Sequence, residues 1–200
     1  HEANEGDWLP SGADVVGQMV GGVTEFESDP FKARKHQWSF DNLGFVILKT
    51  GNKINTHEHL RDLGSLDTED LRRISRQAIE ALVDADQLLF VKSIEQYHGL
   101  LKSQSLVCRE TLNLVNHLKN SESTVAVKGC GALGADTLLV VCEKQNREAV
   151  KALAPVVGLQ VVADDTMVES GLSMNFDYEF SRQQQAIQSQ QLAREPVLEL

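Results

Sequence analysis

The stretch STVAVKGCGALGADTLLVVCEK, residues 123–144, constrains the fold more than any other part of the chain. Apolar residues flank three glycines, Gly129, Gly131 and Gly134, and the pattern reads as strand, glycine-rich turn, strand. What surrounds it sets the class. Upstream, LDTEDLRRISRQAIEALVDADQLL (66–89) places Leu71, Ile74, Ala78, Leu82 and Leu89 at helical spacing, with Asp67 or Thr68 as the cap. A second helix is expected over about 91–102, and a third over 104–119 through Leu106, Leu112, Val115 and Leu118. Downstream, NREAVKALAPVV is a helix stopped by Pro155 and Gly158, and LQVVADD is a last strand. The order from 67 to 165 is ααα-β-β-α-β, an α+β pattern with an antiparallel sheet backed by helices.

Before residue 67 the signals are shorter. Val15, Val16, Met19 and Val20 share a helical face and predict a short helix packed on a core, ended by Gly21 and Gly22. Phe45-Val46-Ile47-Leu48 reads as a buried strand, followed by the loop KTGNKINTHEHL. The tail 181–200 is Gln-rich and lacks a strong core face.

Charge and cysteine usage narrow the function. A formal net charge of −10 argues against a sequence-independent nucleic-acid binder, which needs basic surface to displace counterions. The local basic run DPFKARKHQW (29–38) reads as a solvated loop or edge strand. Cys108, Cys130 and Cys142 are odd in number and have no CxxC spacing, so reduced, mostly buried thiols in a cytoplasmic protein are expected. The apolar run LLVVC near Cys142 is too short to span a bilayer.

Two motifs carry chemistry. In Pro10-Ser11-Gly12-Ala13-Asp14, the carboxylate at a helix entrance is either a cap for free backbone amides or a base that orients a hydroxyl nucleophile. In the glycine turn, backbone amides can form an anion-binding concavity, or the glycines can supply positive φ for a hairpin. A dinucleotide fingerprint is a poor match, because a strand rather than a helix follows the glycines, and no GK[ST] loop occurs.

In order, PSGAD, KTGNKINTHEHL and KGCGALGAD resemble segments of the GHMP kinase superfamily (galactokinase, homoserine kinase, mevalonate kinase, phosphomevalonate kinase), nearest the mevalonate kinase branch. The resemblance spans about residues 9–165. It implies the end of an N-terminal catalytic domain over 1–64, a ferredoxin-like C-terminal α+β domain over 65–180, and a tail over 181–200. It also implies an ATP-dependent kinase, using Mg²⁺, that phosphorylates a mevalonate-like or sugar hydroxyl. Asp14 would be the catalytic carboxylate, Ser11, Gly12 and Thr56 would bind the acceptor, and Gly129, Gly131 and Gly134 would lie near the phosphates. Cys130, Ala132 and Leu133 interrupt the glycine run, and the family's Gly-Leu-Gly-Ser-Ser ATP loop does not occur. The resemblance therefore places the chain as a C-terminal portion of such a kinase, inactive alone. A sheet cut in mid-domain leaves an open edge, so a homo-oligomer is expected. The rival reading is a non-catalytic ligand-binding or interaction module on a kinase-like scaffold.

Lesser candidates are the His57-Glu58-His59 triplet as metal ligands or a polar helix start, and His98 and His117 as helix residues. Cys130 is a candidate nucleophile. Asp164 and Asp165, with Thr166, are either a Mg²⁺-touching carboxylate pair or a strand-end turn.

Overall fold

The computed structural model describes residues 12–51, 68–131 and 134–172. The expected tail over 181–200 lies outside them, as do Ser11, Thr56 and the His57-Glu58-His59 triplet. In chain order the elements are α1 (Ala13–Val20), β1 (Val23–Ser28), β2 (Phe31–His36), β3 (Leu43–Lys49), α2 (Glu69–Val83), α3 (Gln87–Ser103), α4 (Arg109–Lys119), β4 (Ala126–Cys130), β5 (Thr137–Glu143), α5 (Arg147–Val156) and β6 (Gln160–Asp164). Short 3₁₀ turns occupy Lys144–Asn146 and Asp165–Met167.

The main sheet has the strand order β4-β5-β3-β6. Every pairing is antiparallel: Ala126↔Val141 to Cys130↔Thr137, Leu43↔Glu143 to Lys49↔Thr137, and Val46↔Asp164 to Lys49↔Gln160. With β3 counted first, this is the ferredoxin-like arrangement expected for the C-terminal unit, its first crossover carrying three helices instead of one. The boundary expected after residue 64 falls between β3 and the strands it pairs with. It would cut β3 away from the sheet in which β3 is an inner strand, yet Val46 and Leu48 are fully buried there.

Alternation along the strands splits the core in two. Val46, Leu48, Val127, Leu138, Val140 and Cys142 face α4 and α5, where they meet Val115, Leu118, Val150 and Ala154. Leu43, Ala126 and Val141 face α2 and α3, where they meet Ala81, Leu82, Phe90 and Ile94. Each fully buried Val or Leu contributes about 1.5–3 kcal/mol relative to exposure. Trp38 packs edge-on against Phe40, Phe45 and Phe90 on this second face, and its indole N–H donates to the Leu43 carbonyl at 2.6 Å.

The helix expected to run on to Leu89 stops at Val83, and α3 begins at Gln87. The stop is made by Ala85 in the left-handed region (φ 55), with Asp86 N–H bonding the Ala81 carbonyl at 2.9 Å. Asp86 then caps α3 by accepting from Leu89 N at 3.0 Å. The third helix starts at Arg109 rather than 104, because Ser105 (φ 59) ends α3 in the same way, with Leu106 N–H on the Leu101 carbonyl at 2.8 Å. Pro155 sits inside the last turn of α5, so Gly158 (φ 76) is the actual stop.

The basic run forms β2, paired with β1 in a separate two-stranded ribbon. His36 meets Glu25 across that ribbon at 2.9 Å. The helix expected at 14–23 forms as α1, but it buries no residue among the described ones: Val15 is 55% exposed and Met19 52%. Its C-terminal end is held instead by backbone. Gly22 N–H bonds the Glu169 carbonyl at 2.8 Å, and Leu172 N–H bonds the Met19 carbonyl at 3.1 Å. Gly21 and Gly171 pack main chain to main chain, with no room for a Cβ on either.

Candidate functional site

Asp14 lies in the first turn of α1 and is exposed. The N-cap is Gly12, in the left-handed region (φ 69, ψ 5), which makes no side-chain cap. The capping role that an Asp at a helix entrance usually performs is therefore not performed by Asp14. Among the described residues its carboxylate makes no hydrogen bond or ion pair, so it is available to a ligand. Among the described residues, nothing lies within 4 Å of where a Cβ on Gly12 would stand.

The glycine turn is built for close backbone packing. A Cβ on Gly129 would lie 2.6 Å from the Gly134 carbonyl oxygen and 3.0 Å from Thr111 Cγ2. Gly131 has φ 82, and its absent Cβ would fall 2.8 Å from the Asp136 carboxylate. The Gly134 amide bonds the Gly131 carbonyl at 3.0 Å. Thr111, at the start of α4, donates its hydroxyl to the Gly134 carbonyl at 3.1 Å and also meets Cys108 Sγ at 3.1 Å. At the end of β3, the Thr50 hydroxyl bonds the Ala135 and Asp136 carbonyls, the latter at 3.2 Å, and Thr50 N–H bonds Asp136 at 3.1 Å. The loop that leaves β3 thus departs beside the glycine turn, next to the first turn of α4.

This geometry bears on one of the amides that a phosphate would need. The Gly134 amide is already committed within the turn, and the Asp136 carboxylate leans on Gly131. Among the described residues the turn is tightly packed, and its Gly134 amide is turned inward. The structure brings Gly129, Gly131 and Gly134 together with Thr50, Cys108 and Thr111. Among the described residues no hydrogen bond or ion pair joins Asp14 to this group. Sequence reasoning missed Thr50 and Thr111 as staples of the turn; an isolated Thr carries no positional signal of that kind.

Asp164 and Asp165 form an ion-pair network, which answers the choice left open above in favour of a strand-end turn. Asp165 accepts both arms of Arg147, at 2.8 and 2.7 Å, and also the Phe45 amide at 3.3 Å. Asp164 binds Lys151 Nζ at 2.5 Å and accepts from Thr166 N and Oγ1 at 2.8 and 2.5 Å. Lys151 and Thr166 together hold the Asp164 carboxyl down to about 2, and the Asp165 hydrogen bond raises Arg147. Each oxygen of the pair has a partner within the chain. Among the described residues no group of three or more His, Cys, Asp or Glu is placed to hold a metal ion. No described helix is long and apolar enough to cross a membrane.

His98 is buried on α3, its Nδ1 has no partner, and burial, then Lys119, Lys102 and Lys128, lower its pKa. His117 lies in the last turn of α4. Cys130, at the end of β4, accepts a hydrogen bond from Lys128 Nζ at 3.3 Å. Glu143, Lys144 and Gln145 line a shallow polar depression with Asn42, at the end of β5 away from the glycine turn.

No family model matches the chain, and no curated protein sequence does. Solved structures do. Mevalonate kinase from L. major, solved in complex with R-mevalonate, aligns over 84% of this chain and 55% of its own at 19% identity, with a TM-score of 0.62. Galactokinase from Lactococcus lactis, complexed with galactose, aligns over 76% and 52% at 14% identity, TM-score 0.58. Phosphomevalonate kinase from Streptococcus pneumoniae, in complex with phosphomevalonate and AMPPNP, aligns over 67% and 42% at 13% identity, TM-score 0.57. The chain therefore spans about half the length of the kinases it matches. Its described residues have the α+β fold of the C-terminal portion of the GHMP kinases.

Proposed function

We propose that this chain is part of an ATP-dependent kinase that phosphorylates the hydroxyl of a small alcohol or sugar, with Asp14 as its catalytic carboxylate. The observation that carries the reading is the state of Asp14. It sits in the PSGAD segment in the first turn of a helix, uncommitted to capping, and it is exposed. Such a carboxylate can accept the acceptor's hydroxyl proton as that oxygen bonds to the γ-phosphorus of ATP and the bond to the β-bridging oxygen breaks. Ser11, Gly12 and Thr56 are proposed to shape the acceptor pocket, and Gly129, Gly131 and Gly134 to form its wall near the phosphates through close packing, without donating the Gly134 amide.

The solved neighbours supply the class of chemistry: kinases bound to R-mevalonate, to galactose, and to phosphomevalonate with AMPPNP. The rival reading, a non-catalytic ligand-binding or interaction module, draws support from the commitment of the Gly134 amide to Gly131. One experiment separates the two. ADP release from MgATP is measured with the complete protein against mevalonate, phosphomevalonate, homoserine, galactose and related sugars, for wild type and Asp14→Asn. The kinase reading expects turnover with one acceptor and a loss of at least about 100-fold in the variant, the scale of a missing general base. Equal turnover in the variant removes Asp14 from the role. No turnover and no MgATP binding by calorimetry favours the module.

A further inference from the structure

Lys128 and Cys130 stand two residues apart on β4, so strand alternation points both side chains to the same face. That face packs on α3. Ala126 joins Phe90 and Ile94 there, and Lys128 Nζ lies 5.2 Å from the centroid of the Tyr97 ring. The ammonium donates to Cys130 Sγ at 3.3 Å, and both side chains are half-buried. The main chain beneath the pair is fixed. The ladder to β5 runs through Cys130↔Thr137, and Gly129 between them is pressed against Gly134. The other two thiols are elsewhere. Thr111, the partner of Cys108, abuts the Gly129 position and so marks the opposite face of β4, and Cys142 is fully buried in the core of that opposite side. Among the described residues, the side-chain nucleophile in contact with Cys130 Sγ is the Lys128 amine.

We propose that Lys128 and Cys130 form an oxidation-dependent cross-link site, in which peroxide converts the thiol to a sulfenic acid and the lysine amine captures it as a sulfenamide. In the first step hydrogen peroxide delivers one oxygen to sulfur. The O–O bond breaks, sulfur loses two electrons, and water leaves. In the second step Lys128, having given one proton to solvent, attacks sulfur with its nitrogen lone pair. The S–N bond forms, the S–O bond breaks, and hydroxide departs with a second amine proton as water. The chain ends two hydrogen atoms lighter, and a dithiol restores both side chains. The bond would pin the end of β4 at the edge of the glycine turn, making that corner responsive to oxidants.

The test is peptide mass spectrometry on the full chain, which is reduced, exposed to a small excess of hydrogen peroxide, alkylated after denaturation, and digested with trypsin. The expected product is peptide 120–144, uncut after Lys128 and lighter by two hydrogens at residues 128–130. Cys142 is alkylated in it, and dithiothreitol returns it to the ordinary fragments 120–128 and 129–144. Cleavage after Lys128 with Cys130 found as a disulfide, a sulfinic acid or a link to a backbone nitrogen overturns the proposal. Lys128→Arg, which keeps the positive charge beside Tyr97, should abolish the cross-linked peptide and leave Cys130 trappable by dimedone. The same loss of two hydrogens at Cys130 in that variant would also overturn it.

Discussion

Asp164→Asn should cost the chain about 2 kcal/mol at neutral pH, and the cost should vanish in acid. Asp164 is 4% exposed and ties β6 to α5 through Lys151. The Lys151 hydrogen bond, then Thr166, hold its carboxyl at about 2 against an ordinary 3.8. That depression corresponds to about 2 kcal/mol of native-state stability. The sign follows from proton binding. Between about pH 4 and pH 2 the unfolded chain takes up a proton that the folded chain does not, so stability is present above that window and lost as pH falls through it. Asn cannot replace the interaction in either orientation. Its amide nitrogen would face the Lys151 ammonium or the two Thr166 donors, placing donor against donor. The loss stays below the 3–5 kcal/mol or so of a stranded buried charge, because Lys151 is partly exposed and keeps Glu148 at 2.9 Å. Urea titration from neutral pH to about pH 2 measures it. With a slope of about 2 kcal/mol per M, the midpoint should fall by about 1 M at neutral pH. A deficit of the same size at both ends of the range would mean that the substitution acts through packing, and the ion-pair reasoning would fail.

Two further predictions concern the glycine turn and the thiols. Gly129→Ala should destabilise by about 3 kcal/mol, the scale of an overpacked core site, because its Cβ would strike the Gly134 backbone at 2.6 Å. Gly131→Ala should cost about 1–2 kcal/mol, the strain of a left-handed alanine, since the Asp136 side chain it meets can move. The reverse order in thermal melts would refute this reading of the turn. Burial, then Asp165, raises the Cys142 thiol to about 11. Iodoacetamide at about pH 8 should therefore modify Cys108 and Cys130 in the native chain while Cys142 stays free until urea is added, because the thiolate is the reactive form. Early labelling of Cys142 would contradict its burial.

The sequence disclosed the fold wherever a residue type has one structural use. Gly158 ends α5 with the two backward hydrogen bonds of a Schellman stop, Leu159 to Ala154 at 2.8 Å and Gly158 to Pro155 at 3.2 Å, and glycine announces that stop. The same stop ends α2 and α3, but there Ala85 and Ser105 take the left-handed position. Neither residue signals a stop, so the helical period reads straight through both. The alternation in 126–143 and the run 45–48 were legible as strands. That β3 belongs with β5 and β6 was not, because such pairing is set by packing across three intervening helices and leaves no local mark.

The candidate site was legible to a different degree at each of its parts, for a physical reason. PSGAD announces a turn and a carboxylate, and both are local properties. Where that carboxylate stands is a long-range matter. α1 buries no side chain among the described residues, so apolar packing does little to fix its axis. Its direction is fixed by backbone bonds from residues 169–172 to Met19 and Gly22, by the Gly21–Gly171 contact, and by Lys35 Nζ on the Ser170 carbonyl at 2.8 Å. These contacts join residues more than 130 positions apart. Each uses main-chain groups or a glycine with no room for a Cβ, and main-chain hydrogen bonding is common to nearly every residue type. In the role proposed for Asp14, a carboxylate that meets a hydroxyl oxygen at hydrogen-bond distance would need such a fixed platform, since small misplacements cost orders of magnitude in rate. The segment that positions Asp14 is therefore the last described stretch of the chain, and only the fold reveals it.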